Sequence, residues 1–337
     1  MLKQKKIYNR TPLLFAALSF LCIFFFILDI LFGSVSIPLT ELTQALWGKN
    51  TNSTFYEIII NFRIPKALTA MLAGASLAVA GLLMQTLFRN PLAGPDVLGV
   101  SAGAGLGVAL FVMAGSLLPL SISGNGWGLV ASAITGGIGI LLIMLAVSFK
   151  IRNSISLLII GIMFGSMAGA LISVIQNYSN PDALKLFVVW TMGSLSAVSW
   201  AYMQILAPLV LLGLLLALLI QKQLNGLLLG EHYARGLGIS ITQIRILIII
   251  ATGLLAGAVT AFTGPIAFIG VAVPHLARGL FRSSNHQLII PASILCGAIL
   301  LLICDIITQI SIYTIPINAI SALFGAPLII WIIIKKK

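Results

Sequence analysis

Ten apolar runs, most near 20 residues long and each closed by a polar or Gly/Pro-rich segment, dominate the chain. A run of that length with few charges crosses the ~30 Å hydrocarbon core of a bilayer as a helix. The pattern predicts spans near 12–32, 64–88, 97–116, 128–148, 154–176, 200–220, 244–262, 266–280, 288–304 and 316–334. The stretch 186–198, with Trp190 and Gly193, is apolar but short, and predicts a re-entrant or surface helix. The first run follows Lys3, Lys5, Lys6 and Arg10. It is longer than the apolar core of a signal peptide and no small-x-small cleavage site closes it, so it predicts a retained helix.

Composition agrees. Of 337 residues, 60% are hydrophobic and 8% charged, with mean hydropathy +1.14. A soluble domain carries about a quarter charged residues to build its polar shell. A water-soluble enzyme and a disordered scaffold are therefore excluded. The net charge of +12 suggests nucleic acid only until the charges are placed. With the N-terminus inside, ten crossings return the C-terminus inside. Fifteen of the 19 basic residues then face the cytoplasm, leaving Lys49, Arg63, Lys66 and Lys185 outside. Five of the seven acids fall outside, and only Asp96 and Glu231 inside. Lys/Arg asymmetry in short loops sets orientation, so the basic excess is topological. Cys22, Cys296 and Cys304 lie in apolar surroundings without metal-ligand spacing, which predicts neither disulfide nor metal site.

Small residues recur every fourth position in three sets: Gly99, Gly103 and Gly107; Gly161, Gly165 and Gly169; Gly253 and Gly257. Four-residue spacing puts each set on one helix face, where backbones can approach closely in lipid. Packing within the subunit is the leading use, with a subunit interface or a substrate path as the alternatives. Breaks at Asn90–Pro95, at Gly264-Pro265 and at Pro274 interrupt the apolar pattern. Residues 74–99 and 253–279 each run from a Gly/Ala-rich helix into such a break, a faint internal repeat of the kind transporters use.

Three motifs carry candidate chemistry. Gly99-Val100-Ser101-Ala102-Gly103 matches the G-x-S-x-G nucleophile pattern, which needs a strand–turn–helix and a histidine within reach; it sits instead in a Gly/Ala-rich helix. Asp96 reads as a helix N-cap. No span shows the buried acidic chain of a proton-coupled pump, so the energy source is expected outside this chain. A G-x-x-x-x-G-K-[ST] loop is also missing, so this chain does not hold nucleotide phosphates in that manner.

The cytoplasmic loop Leu224–Arg245, LNGLLLGEHYARGLGISITQIR, is too apolar to be an idle solvated connection. A short helix around Glu231–Arg235, ended by Gly236 or Gly238, would present a knob to a partner. An interfacial amphipathic connector is the plainer alternative. Outside, Arg63 and Lys66 share a helix face, as membrane-interface anchors or as docking points for an acidic surface.

Arg63-Ile64-Pro65-Lys66, AGASLAVAG (Ala73–Gly81), MQTLFRNPLAGPDVLGVSAGAG (Met84–Gly105), WTMGSLS (Trp190–Ser196), LLLGEHYARGLGIS (Leu227–Ser240), FTGPIAFIGVAVPHLAR (Phe262–Arg278) and FGAPLIIW (Phe324–Trp331) resemble the FecCD/BtuC family over nearly the whole chain. These are permease subunits of bacterial type II ABC importers for iron–siderophore complexes, haem and cobalamin. The resemblance implies an all-α membrane fold of about ten transmembrane helices, one permease domain over 1–337, with both termini cytoplasmic. It implies a bacterial plasma (inner) membrane location and a non-catalytic subunit that holds no cofactor or metal. ATP and Mg²⁺ would sit on two cytoplasmic ATPase subunits. A second permease copy or sister chain and an extracytoplasmic binding protein complete the implied partners. An iron(III)–siderophore complex is the expected cargo, with haem or cobalamin as alternatives; a gradient-driven secondary transporter and a Ser101 hydrolase are the rival classes.

By the same resemblance, Gly230, Glu231, Ala234, Arg235, Leu237 and Gly238, in the loop at about 224–243, couple to the ATPase. Arg63 and Lys66 meet the binding protein, and Asn153, Ser154 and Ile155 lie in the region of the cytoplasmic gate. Three positions depart from the family pattern: Gln309 replaces an Arg, Thr314 a Glu and Asn318 a Gly. Either a sister permease keeps the missing groups or the positions have drifted.

Overall fold

The structure, a computed structural model, describes residues 10–33, 35, 37–49, 53–113, 126–151, 153–310 and 315–335. Lys3, Lys5, Lys6, Arg152, Thr314, Lys336 and Lys337, used above for topology or family pattern, lie outside the described residues. Among the described residues every regular element is helical. Seven helices are long and apolar enough to cross a membrane: α1 Thr11–Leu31, α3 Thr54–Phe88, α5 Gly126–Lys150, α6 Ser154–Asn177, α8 Trp200–Leu219, α11 Ile241–Thr263 and α13 His286–Ile310. Three shorter helices, α4 Val100–Met113, α12 Ile269–Phe281 and α14 Ile317–Lys335, occupy the remaining expected spans. The others are α2 Leu39–Leu46, α7 Pro181–Thr191, α9 Gln221–Leu228 and α10 Glu231–Gly236, with a short 3-10 helix at Pro95–Leu98.

At about 1.5 Å per residue, the 21 residues of α1 measure about 30 Å, the thickness of the hydrocarbon core. The 13 residues of α12 reach only about 20 Å by the same rule and complete a crossing with the irregular strip 264–268 before them. Non-helical backbone is tolerated at that depth only where protein covers it. Here the Ser194 N–H donates to the Thr263 carbonyl at 2.7 Å, and the Ala267 N–H donates to Asn318 Oδ1 at 3.0 Å. Asn318, a departure from the family pattern, thus supports the break with its side chain. The stretch 186–198 divides: α7 ends at Thr191 and the turn beyond it lies against this strip.

Helix α3 is the central element. Every residue from Ala73 to Phe88 is buried, because Ala, Gly and Ser let α8, α11, α12 and α13 close around it. Lipid provides no hydrophobic drive between helices, so this close packing and interhelical hydrogen bonds hold them together. One such bond joins the Ser76 hydroxyl to the Leu255 carbonyl of α11 at 3.0 Å. The helix starts at Ser53, whose side chain accepts from the Tyr56 N–H, and passes through a π-helical turn, Ile58–Arg63. Pro65 explains that turn. It has no N–H to give to Asn61, and its ring would strike that carbonyl in α register, so the chain widens before it.

The four-residue glycine sets separate by use. Gly103 of α4 and Gly136 of α5 meet backbone to backbone, and Gly107 meets the Ser132 carbonyl. Gly161 approaches the Val97 carbonyl, yet a Cβ on Gly169 would meet nothing within 4 Å. The first set packs inside the subunit, as expected. The outer part of the Gly161 set faces away from it.

Candidate functional site

The two ends of α3 carry two polar constellations. At its first end Arg63 is only 8% exposed. Its Nη1 donates to the carbonyls of Ile30 at 2.6 Å and Leu31 at 2.8 Å, and its Nη2 to that of Val35. The last carbonyls of a helix have no partner within it, and α1 has no basic residue in its final turn. Arg63 supplies the missing donors, so its guanidinium is directed inward as a clamp on α1.

Lys66 is also engaged internally, its Nζ 2.9 Å from Asp305 Oδ2. Gln309 donates to Asp305 Oδ2 at 3.0 Å and to Asp29 Oδ1 at 2.8 Å. The position where the family pattern has Arg therefore bridges two buried carboxyl groups. Arg63, Lys66, Asp305 and Gln309, with Ser194 and Ser199, line a cavity of about 850 Å³.

At the other end, three successive contacts radiate from α3. Gln85 accepts from Arg278 Nη1 at 2.6 Å, Thr86 bonds to His286 Nε2 at 2.9 Å, and Arg89 donates to the Leu227 carbonyl at 3.3 Å. The last contact attaches the long polar loop. Within it Gly230 holds φ 117° and ψ 148°, a backbone region open essentially to glycine alone, and turns the chain into α10. Gly238, at φ 80°, closes α10: its N–H bonds to the Arg235 carbonyl, and the Ile239 N–H to that of Ala234. Those two bonds make a Schellman cap, which selects Gly238 over Gly236.

Ala234 is fully buried beneath the turn. Arg235 lies 3.8 Å from Glu231, and Leu229, Tyr233 and Leu237 stand exposed. These apolar side chains stand out of a loop whose short helix is bounded by glycines at positive φ on both sides.

The three gate candidates also lie at this end but have unlike roles. Asn153 caps α6, its side chain accepting from the Ile155 N–H at 2.8 Å. Ile155 is exposed. Ser154 donates to Glu231 Oε1 at 2.9 Å, so one residue of the gate region touches one of the loop. Behind both lies Arg245, a residue the sequence offers only as another cytoplasmic charge. It has no flanking motif; its neighbours are 14 and 91 positions away.

Ser101 meets the Asp96 carboxylate at 2.9 Å and the Thr260 hydroxyl at 3.3 Å. Asp96 thus receives a side-chain hydroxyl in place of the expected helix-capping role. The basic residues Arg89, Arg235, Arg245 and Arg278 gather at the loop end and Arg63 and Lys66 at the opposite end, the segregation that charge counting requires.

Comparison with known proteins settles the class. The FecCD transport family matches residues 21–335. The chain belongs to the FecCD transport family. The hemin transport system permease HmuU of Yersinia pestis is 35% identical over 325 residues, covering 95% of this chain and 96% of that one. The vitamin B12 import system permease BtuC of Salmonella arizonae is 36% identical over 278 residues, covering 81% and 82%. A solved structure described as an inward-facing metal-chelate type ABC transporter superposes with TM-score 0.84 at 31% identity, covering 96% and 99%. This FecCD member is accordingly a multi-pass membrane protein and a permease of the ABC-importer type.

Proposed function

We propose that this chain is the single-domain, non-catalytic permease subunit of a binding-protein-dependent importer that carries an iron(III)–siderophore complex into the cytoplasm. The observation that carries the reading is the loop Leu227–Ser240, its short helix bounded by Gly230 and Gly238 at positive φ, displaying Leu229, Tyr233 and Leu237 beside the Ser154 contact. Gly230, Glu231, Ala234, Arg235, Leu237 and Gly238 form the docking knob for a cytoplasmic ATPase, which binds the ATP and Mg²⁺. Both termini then face the cytoplasm, and Asn153, Ser154 and Ile155 border the inner gate.

The 850 Å³ cavity opens on the outer side, where the binding protein delivers cargo. Lys66 and Arg63 mark that docking surface, and in the resting subunit their charges are held by Asp305 and by the end of α1. A second permease packs along α6, whose exposed face runs through Ile155, Ile159, Met163, Met167 and Val174. ATP binding acts through differential contact with inward- and outward-open states.

A haem cargo is the second reading, favoured by the 35% identity to the Yersinia hemin permease. Uptake of labelled iron–siderophore, haem and cobalamin in cells with and without the gene separates the cargoes. Loss of iron–siderophore uptake on deletion, with the activity following ATP when the proton gradient is collapsed, is the expected result. Loss of haem or cobalamin uptake alone reassigns the cargo. Activity that follows the gradient with ATP constant overturns the importer reading.

A further inference from the structure

We propose that Arg245 is a positioning residue that makes the ATPase-docking loop and the first turn of α6 move as one unit. The proposal rests on the permease reading above and assigns to it a specific mechanical link. Arg245 lies in the first turns of α11 with its side chain 5% exposed. Its Nη1 donates to the Ile151 carbonyl at 2.7 Å, in the connection that enters α6. Its Nη2 stands 3.5 Å from both Glu231 Oε1 and Ser154 Oγ, while Ser154 itself donates to Glu231 Oε1 at 2.9 Å. One planar guanidinium thus addresses three residues in two segments of the chain, the entry to α6 and α10, that are 14 to 94 residues away from it in sequence. A rigid planar fork of donors suits that task, whereas the ammonium of a lysine is a single point charge on a flexible stem without the fixed spread of the fork.

The packing on either side of this junction is unequal. Helix α11 is buried along most of its length and bonded to α3 through Ser76, so Arg245 projects from the fixed part of the subunit. Helix α6 has only Leu157, Gly161 and Ala168 buried, and α10 is a six-residue turn on the surface. Displacing α10 displaces Glu231, and Ser154 follows, because separation would leave the carboxylate without its hydroxyl donor and the buried guanidinium without its nearest counter-charge. The bonds therefore favour joint motion of α10 and the α6 start about an Arg245 pivot. Gly230 and Gly238, both at positive φ, flank the moving piece.

The test uses the assembled transporter in lipid with its ATPase. Spin labels are placed at Ile155→Cys on α6 and Leu280→Cys on α12, both exposed positions, with the native cysteines replaced. In the otherwise wild-type protein the label distance shifts between nucleotide-free and ATP-bound states. Ser154→Ala and Arg245→Gln are expected to reduce the ATP-dependent population shift about tenfold, within the usual 5–150-fold range of coupling between sites. Arg245→Lys falls between them and wild type. Ser154→Ala leaves the Arg245–Ile151 bond in place, so it reports even where Arg245→Gln fails to fold. A wild-type shift that survives unchanged in Ser154→Ala overturns the link alone. A wild-type protein with no nucleotide response overturns the permease reading and the link together.

Discussion

Gly103 and Gly169 look alike in the sequence, each in a glycine set of four-residue spacing, yet the fold predicts opposite responses to the same change. In Gly103→Ala the new methyl would stand 2.6 Å from the Gly136 carbonyl oxygen and 2.5 Å from Ile140 Cγ1. Real Cβ contacts begin at about 3.0 Å, so α4 and α5 must separate by about 0.5 Å. A gap of that size already forfeits about a quarter of each dispersion well along the contact. This is among the most extensive helix contacts in the molecule. Overpacking of this kind costs about 1–3 kcal/mol, partly offset by the roughly 1 kcal/mol that Ala gains over Gly within a helix.

Gly169→Ala has no such contact to disturb and keeps only the gain. Denaturing-detergent titration of the purified subunit measures both. A Gly103→Ala protein as stable as wild type, or a Gly169→Ala protein equally damaged, refutes the packing argument.

Arg63→Ala removes three buried donors from α1 and its exit, and should lower the stability of the isolated permease by several kcal/mol, taking about 1.5–3 per hydrogen bond to a charged group. Thermal unfolding without any binding protein reads this; an unchanged midpoint would return Arg63 to a purely docking role. Gln309→Leu leaves Asp29 Oδ1 without its amide donor and should cost about 1–3 kcal/mol, whereas Gln309→Arg offers the same carboxylates a donor and should be tolerated. Both are ranked in the same unfolding assay, and a reversed order sinks the bridging account. Gly230→Ala forces a side chain into φ 117°, a strain of about 1–3 kcal/mol, and should weaken co-purification with the ATPase without lowering membrane insertion. Undiminished co-purification counts against the loop as the docking element.

Seven of the ten expected spans were legible because each is an apolar run whose length is dictated by the bilayer, and the short helix of the loop because its apolar residues lacked a reason to meet water. The inward turn of Arg63 was not. Its partners are two terminal carbonyls of α1, 32 and 33 residues away, and the Val35 carbonyl just beyond, and no local pattern announces which helix end needs a donor. Asn318 read only as a departure from the Gly of the family pattern, though its amide oxygen accepts a hydrogen bond from the Ala267 N–H of the broken strip. The Ser154–Glu231–Arg245 junction joins three separate stretches of chain and has no periodicity to betray it. Pro65 did carry a local signal, since a proline implies a disturbed helix register over the four residues before it, here Asn61 to Ile64.

Helix α3 grips the end of α1 through Arg63 and the loop Leu227–Ser240 through Arg89. A rod buried through its inner half and fastened at both tips behaves as the stator of a machine. The conformational stroke then falls to the lightly packed periphery, α6 and the segments joined to it, while the axle stays still. Mutations in the α3 interior would be felt as failures of assembly, and mutations along α6 as changes in turnover.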